Sequence, residues 1–309
     1  MTFATHFADR LNQKIQQTKS PLVVGLDPRF DQLPATLKVS VSSIEAPPKD
    51  KARITTEFCK GVIDVVASRV PAVKPQAAFF EQLGPLGMLA LAEVVDYANA
   101  AGLIVIMDAK RGDIGSTAAA YADAFLGPKP TSAWGCDALT INPYLGDDSL
   151  TPFTDVATER GAGLFVLVKT SNPGSKTFQE QKINGLPLYS IVANHVQSLA
   201  AADLGQTGYG SVGAVIGATH PQQLTELRTS MPNTLFLVPG LGAQGGTAAD
   251  VAGGFDENGF GAVINSSRAI IFAYEREQFS GAKSWQAAIE QATIETNQQI
   301  AEHTSAGKL

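Results

Sequence analysis

The 309-residue chain is poor in several features that mark whole functional classes. It has two cysteines, Cys59 and Cys136, far apart and without a C-x-x-C pair. That excludes a disulfide framework and fits a reducing compartment. Its 23 Lys and Arg fall short of its 29 Asp and Glu, a formal charge of -6. No global field therefore draws it to nucleic acid or anionic lipid, and an anionic ligand would need a local basic cluster. No apolar run reaches the ~18 residues of a membrane span. The opening "MTFATHFADRLNQKIQQTKS" lacks the unbroken apolar stretch of a secretory signal, so cytoplasmic residence is expected. His6, His195, His220 and His303 form no H-x-H, H-E-x-x-H or His/Cys ligand pattern. No metal is expected from them, and each reads as a surface or capping residue.

What the chain does have is a regular succession of short apolar runs. They are "PLVVGLD" (21–27), "PAVKPQAAFF" (71–80), "LIVIMD" (103–108) and "DALTIN" (137–142). "GLFVLVKT" (163–170), "VGAVIGA" (212–218), "TLFLVPG" (234–240) and "GAVINS" (261–266) follow. Each reads as a strand buried on both faces, as in a parallel sheet. Amphipathic segments of helical length lie between them, for example 50–69, 86–101, 115–126, 187–204 and 220–230. Eight such alternations predict an α/β fold, a single (β/α)8 TIM barrel over residues 1–309 with an N-terminal helix and a C-terminal closing helix. An open doubly wound sheet shows the same alternation, and strand count alone does not prove closure. Two connections, 29–50 and 171–189, are long for this architecture. In a barrel both open onto the C-terminal face, as lids or as surface insertions.

Polar residues gather where these strands end. "MDAKRGDIGST" (107–117) sets two aspartates, a lysine and an arginine directly after an apolar run. Strand residues two apart point the same way, so Asp108 and Lys110 share a direction. Alone, that D-x-K would be a structural salt bridge. Yet Asp27 ends the first strand, Lys74 interrupts the second ahead of Pro75, and Ser171 follows the fifth. A lysine within an apolar strand is costly to bury unpaired, and Asp108 is its economical partner. After the seventh strand comes "PGLGAQGG", after the eighth "INSSRAI", the two loops from which barrels commonly build a phosphate site. Gly240, Gly242, Gly245 and Gly246 let backbone N–H groups approach an anion, and Gln244 adds an amide donor. Arg268 supplies a fork suited to phosphate oxygens. The residues thus predict a phosphorylated small molecule on the C-terminal face, its reacting end near Asp108 and Lys110.

At this point the motifs resemble those of a known family. "DAKRGDIGSTAAAYA" is similar to the D-x-K-x-x-D-I-x-x-T signature of the orotidine 5′-phosphate decarboxylases. "GLDPR", "VKPQAAFFE", "TSNPG", "PGLGAQGG" and "SSRAI" match in the same order across 21–269. The R-G-D-I-G-S-T form resembles the longer, type 2 subfamily. The resemblance implies a cofactor-independent decarboxylation of orotidine 5′-monophosphate (OMP) to UMP, in a homodimer with shared active sites and without nucleic-acid or membrane partners. It implies a catalytic Lys-Asp-Lys-Asp array of Lys74, Asp108, Lys110 and Asp113, in which Lys110 protonates C6 of the pyrimidine. Asp113, Ile114 and Thr117 would reach the neighbouring subunit's site. Asp27 and Lys74 would hold ribose hydroxyls, Ser171 the pyrimidine edge, Gln244 base and phosphate, and Arg268 the phosphate, with Pro239 and Ser267 in the same substrate-binding set. Related magnesium-dependent sugar-phosphate enzymes, such as 3-keto-L-gulonate 6-phosphate decarboxylase, share D-x-K-x-x-D but carry a glutamate where Lys74 stands. A phosphate-ligand sensor would need the grip but not the array. Arg111 takes no role in the array and is expected in a helix-capping or dimer-surface ion pair.

Overall fold

The computed structural model describes residues 5–38, 46–242 and 245–309. Its eight parallel strands close into a barrel, each paired with its sequence neighbours and the last with the first. They are β1 (Leu22–Leu26), β2 (Ala72–Pro75), β3 (Ile104–Arg111), β4 (Ala138–Ile141), β5 (Gly163–Lys169), β6 (Val212–Ile216), β7 (Phe236–Pro239) and β8 (Ala262–Ser266). The pairing of β1 with β8, Val23 opposite Asn265, closes the ring and rules out the open sheet. Between strands run α2 (Pro48–Val66), α3 (Gly84–Ala100), α4 (Gly115–Phe125), α5 (Thr151–Arg160), α6 (Leu188–Ala202) and α7 (Pro221–Ser230), after an N-terminal α1 (Phe7–Thr18). A closing helix, α8 (Trp285–His303), packs Trp285 on Phe58 of α2 with ring centroids 5.3 Å apart. Among the described residues no helix is long and apolar enough to cross a membrane.

Two expectations are corrected. The run 71–80 is not one strand: β2 stops at Pro75, which has no N–H to continue a ladder, and Ala78–Glu81 turns helical. The alternation is also incomplete at its end. After β7 stands only the 3-10 segment Ala249–Gly254, and after β8 only the four-residue helix Arg268–Ile271. The long connections carry structure of their own. Phe30–Gln32 and Ala35–Leu37 are 3-10 turns, whereas 39–45 lies outside the described residues. Within 171–189, Lys176–Gln179 is helical and Lys182–Ile183 pairs antiparallel with Leu186–Pro187.

The barrel interior is filled rather than hollow. Val23, Ile104, Ile106, Phe165, Val215, Leu237 and Val263 form one buried cluster with Phe7, Leu11 and Ile15 of α1. α1 therefore plugs the N-terminal mouth, its Phe7 ring edge-on to Phe165 at 6.0 Å. A Cβ at Gly163 would lie 2.2 Å from that Phe7 ring, so the glycine makes room for the plug. Each such buried side chain stabilises the fold by about 1.5–3 kcal/mol. His6 caps the helix, its Nδ1 accepting from the Ala8 N–H at 3.2 Å. With one end stoppered, a ligand is left the C-terminal end of the strands.

Candidate active site

A cavity of about 540 Å³ occupies that end. Its wall is divided. β1 to β4 contribute Asp27, Lys74, Gln76, Asp108, Lys110 and Thr140, while β5 to β7 contribute Leu167, Val215 and Leu237.

Asp108 is the hub of the polar half. Its Oδ2 accepts from Lys74 Nζ at 2.5 Å and from Gln76 Nε2 at 3.0 Å. Its Oδ1 accepts from Lys110 Nζ at 2.6 Å and from Thr140 Oγ1 at 3.0 Å. Burial works against its charge, but Lys74 and Lys110 outweigh that and hold the carboxyl well below the usual carboxylate range. Burial likewise works against the Lys74 ammonium, yet Asp108 and Asp27 push its pKa above the ordinary lysine value. Both stay ionised across the neutral range. Breaking such a buried pair from one side strands the other charge, at about 3–5 kcal/mol. Asp27 brings a further carboxylate to the cavity, and its buried Oδ1 has no hydrogen-bond partner among the described residues. An orphaned acceptor in a cavity wall calls for a donor on a ligand.

Asp108 and Lys110 do meet, but not through the strand alternation expected of them. The β3–β4 pairing shifts between Met107 and Arg111, and Lys110 sits at φ 48°. L residues other than Asn and Asp seldom take that conformation, and such strain clusters at functional sites.

At the other end of the cavity Arg268 begins its short helix, beside Pro239, Gly240 and Ser267. Gly240, Gly242 and Gly245 have φ of 114°, 79° and 90°, the turn conformations that favour glycine. Three glycine N–H groups are not aimed at an anion, however. Gly242 donates to Gly246 O, Gly245 to Gly242 O and Gly246 to Gly240 O. The loop folds onto itself, so in this conformation the glycines shape the turn. Gln244 lies outside the described residues. Gly25 serves differently: a Cβ there would fall 1.9 Å from Ser267 Oγ, so its absence lets β8 present Ser267.

Ser171 also lines the cavity, with Thr170, Asn172 and Gln179. Gln179 reaches back from the 171–189 connection, accepting from the Thr170 N–H at 3.0 Å and donating to Thr170 Oγ1 at 2.8 Å. Asp113, Ile114 and Thr117 do not line this cavity. They stand at the entry to α4, with Ile114 58% exposed. Arg111 does form an ion pair, with Glu81, and lies over the Tyr121 and Phe125 rings. His195 and His220 are not plain surface residues, because each has a buried Nε2 without a hydrogen-bond partner among the described residues.

Gln76, Thr140, Gln179 and Asn265 reach the cavity without having been singled out from the sequence. Two of them were readable there. Gln76 is two residues beyond Lys74, and Thr140 interrupts an apolar strand as Lys74 does. Gln179 comes from a distant part of a loop, and no local pattern marks it.

Residues 20–280 match the model of the orotidine 5′-phosphate decarboxylase / HUMPS family. An orotidine 5′-phosphate decarboxylase of Rhodopirellula baltica is 56% identical over 305 residues, covering 97% of this chain and 99% of that protein. The chain belongs to this family. A second orotidine 5′-phosphate decarboxylase, from Caldicellulosiruptor bescii, is 40% identical over 87% of this chain and 90% of its own length. The solved structure of Leishmania donovani OMP decarboxylase superposes with a TM-score of 0.74 at 33% identity, covering 97% of this chain and 98% of that one. The orotidine 5′-phosphate decarboxylase / HUMPS match takes in β1 to β8 and every residue of the cavity, leaving α1 and α8 outside it.

Proposed function

We propose that the cavity decarboxylates OMP to UMP and carbon dioxide, the closing step of UMP synthesis, with no cofactor. The observation that carries this reading is the Lys74–Asp108–Lys110 chain at 2.5 and 2.6 Å, facing the same cavity as Arg268. The C6–carboxylate bond breaks, its electron pair stays on C6, and carbon dioxide leaves. Lys110, hydrogen-bonded to Asp108, stabilises the developing carbanion and delivers its proton from Nζ to C6. Asp108 is anionic next to the substrate carboxylate, a like-charge contact relieved as the neutral product departs. Leu167 and Val215, apolar and across the cavity, suit that neutral product.

The remaining contacts follow the cavity wall. The orphaned Asp27 Oδ1 accepts from a ribose hydroxyl, Lys74 holds the neighbouring one, and Ser171 takes the pyrimidine edge. Arg268 grips the phosphate with Ser267 beside it, and Pro239 packs on the base. Binding energy from the remote phosphate holds the reacting ring against Lys110.

The catalytic unit is a homodimer in the cytoplasm. Asp113, Ile114 and Thr117 stand away from their own cavity and serve the neighbour's. Exposed Ile114, Tyr144 and Leu145 on the same barrel face support this, since large apolar side chains in solvent mark contact surfaces. Two buried, unpaired cysteines accord with a reducing compartment.

Loss of OMP absorbance on mixing with the purified protein tests the activity, and the rate should be unchanged in excess EDTA. No loss of OMP, or loss abolished by EDTA, overturns the reading. Mixing inactive Lys110→Ala with inactive Asp113→Ala subunits should restore part of the activity; a mixture that stays inactive overturns the shared site.

A further inference from the structure

Thr140 is 1% exposed and stands on β4 opposite the break in the β3–β4 ladder. Met107 pairs with Leu139 and Arg111 with Ile141. Asp108, Ala109 and Lys110 therefore face Thr140 alone, a bulge of the kind that re-aims side chains next to active sites. A bulge leaves backbone donors without ladder partners, and here a side chain takes one of them. The Lys110 N–H donates to Thr140 Oγ1 at 2.9 Å, and the hydroxyl donates onward to Asp108 Oδ1 at 3.0 Å. That oxygen also accepts from Lys110 Nζ at 2.6 Å.

The directions of these bonds are fixed by chemistry. A backbone N–H only donates and a carboxylate only accepts, so the hydroxyl accepts from the first and donates to the second. One hydroxyl thus closes a ring running from the Lys110 backbone through Asp108 to the Lys110 ammonium. The other carboxylate oxygen is held from β2 by Lys74 and Gln76. Lys110, at φ 48°, has a backbone conformation that its own residue type does not favour. Thr140 is what fastens it there.

We propose that Thr140 is a positioning residue for the decarboxylation, pinning the β3 bulge so that Lys110 Nζ is aimed into the cavity. The inference rests on the reading of Lys110 as proton donor. Thr140 touches no reacting atom in this account; it acts through Lys110 and Asp108. Its loss should therefore affect the chemical step more than the binding of a nucleotide, which relies on contacts elsewhere in the cavity.

Thr140→Val keeps the branched shape and removes both hydrogen bonds, whereas Thr140→Ser keeps the hydroxyl. In the intact enzyme, Thr140→Val should lower kcat about 100-fold, the scale of an ångström-level misplacement. KM for OMP and the affinity for UMP should stay within about 3-fold, since uniform binding is untouched. Thr140→Ser should recover most of the lost kcat. A Thr140→Val enzyme with wild-type kcat overturns the proposal, and so does one whose kcat and UMP affinity fall together. If Thr140→Val does not fold, the Ser and Ala variants decide: the proposal requires Ser to retain kcat and Ala to lose it, and equal rates overturn it. Lys110→Ala is the separate control. If that variant keeps its turnover, the proton-donor reading fails, whatever Thr140 does.

Discussion

Lys74 and Lys169 are both buried lysines near the C-terminal ends of barrel strands, and each is paired with a carboxylate. Lys74 faces the cavity, 4% exposed, against Asp108. Lys169 is wholly buried but turned out of the cavity. Its Nζ donates to Glu180 at 2.9 Å and to Ser175 Oγ at 3.2 Å, and it lies over the Tyr189 ring. The difference arises in the ladder. β5 slips against β6 between Leu167 and Lys169, so Leu167 lines the cavity and Lys169 does not. One slipped residue exchanges the two faces of a strand. β3 carries a slip as well, but there Thr140 catches the bulge and the charge stays inside. The lesson is that a lysine at a strand end belongs to the site only if register turns it inward. The two pairs accordingly do different work: Lys74–Asp108 meets the ligand, and Lys169–Glu180 ties down the 171–189 connection from which Gln179 reaches Thr170.

The widest contrast is between the charge that reacts and the charge that fastens. Lys110→Ala should cut turnover by about 10³- to 10⁴-fold while UMP still binds, because it removes both the proton donor and its electrostatic effect. Near-normal turnover would erase the distinction between the clusters. Glu180→Gln should act through the loop instead. It leaves the Lys169 ammonium with a neutral amide and Ser175, so KM for OMP should rise about 10-fold with kcat changed less than about 3-fold. Lys169→Met combined with Glu180→Gln strands no charge and should recover part of that loss, a coupling that a double-mutant cycle measures. A cycle showing plain additivity would mean that the pair does not act as a unit.

Much of this was legible in residue types and spacing. The eight apolar runs located every barrel strand, because strands buried on both faces have no polar side to hide. Lys74 was readable for the converse reason: a lysine in such a run needs a partner. What could not be read was register. The i, i+2 rule brought Asp108 and Lys110 together, yet the structure achieves this through a bulge and a left-handed Lys110. The same rule cannot foresee that Lys169 turns away. Nor could the glycines of "PGLGAQGG" announce that Gly242, Gly245 and Gly246 give their N–H groups to the loop itself, since a tight turn and an anion nest need the same residue. Gln76 and Thr140 were within reach of the pattern that found Lys74, whereas Gln179 depends on how a long loop folds back.

The smallest expected effect lies where the outward cluster meets α7. His220, preceding that helix, is near Lys169 and Glu180 and interacts with the Thr170 backbone. Burial lowers its pKa, the Lys169 ammonium adds to this, and the Thr170 backbone and Glu180 oppose it only in part. With the folded value below the unfolded value of ~6.5, the unfolded chain takes up the proton first as pH falls. Stability must then decline with falling pH from about 6.5 down to the folded value, and level off below it for this group. Asp108 behaves differently at the other pair. Its folded pKa is depressed, so its contribution is intact above ~4 and is lost only as pH falls through the folded value. His220→Gln should therefore flatten the loss of Tm between pH 7 and 5, by about 1–2 °C, and leave the decline below pH ~4 in place. An unchanged slope between pH 7 and 5 would show that His220 is free to protonate in the fold, and that Lys169 does not reach it.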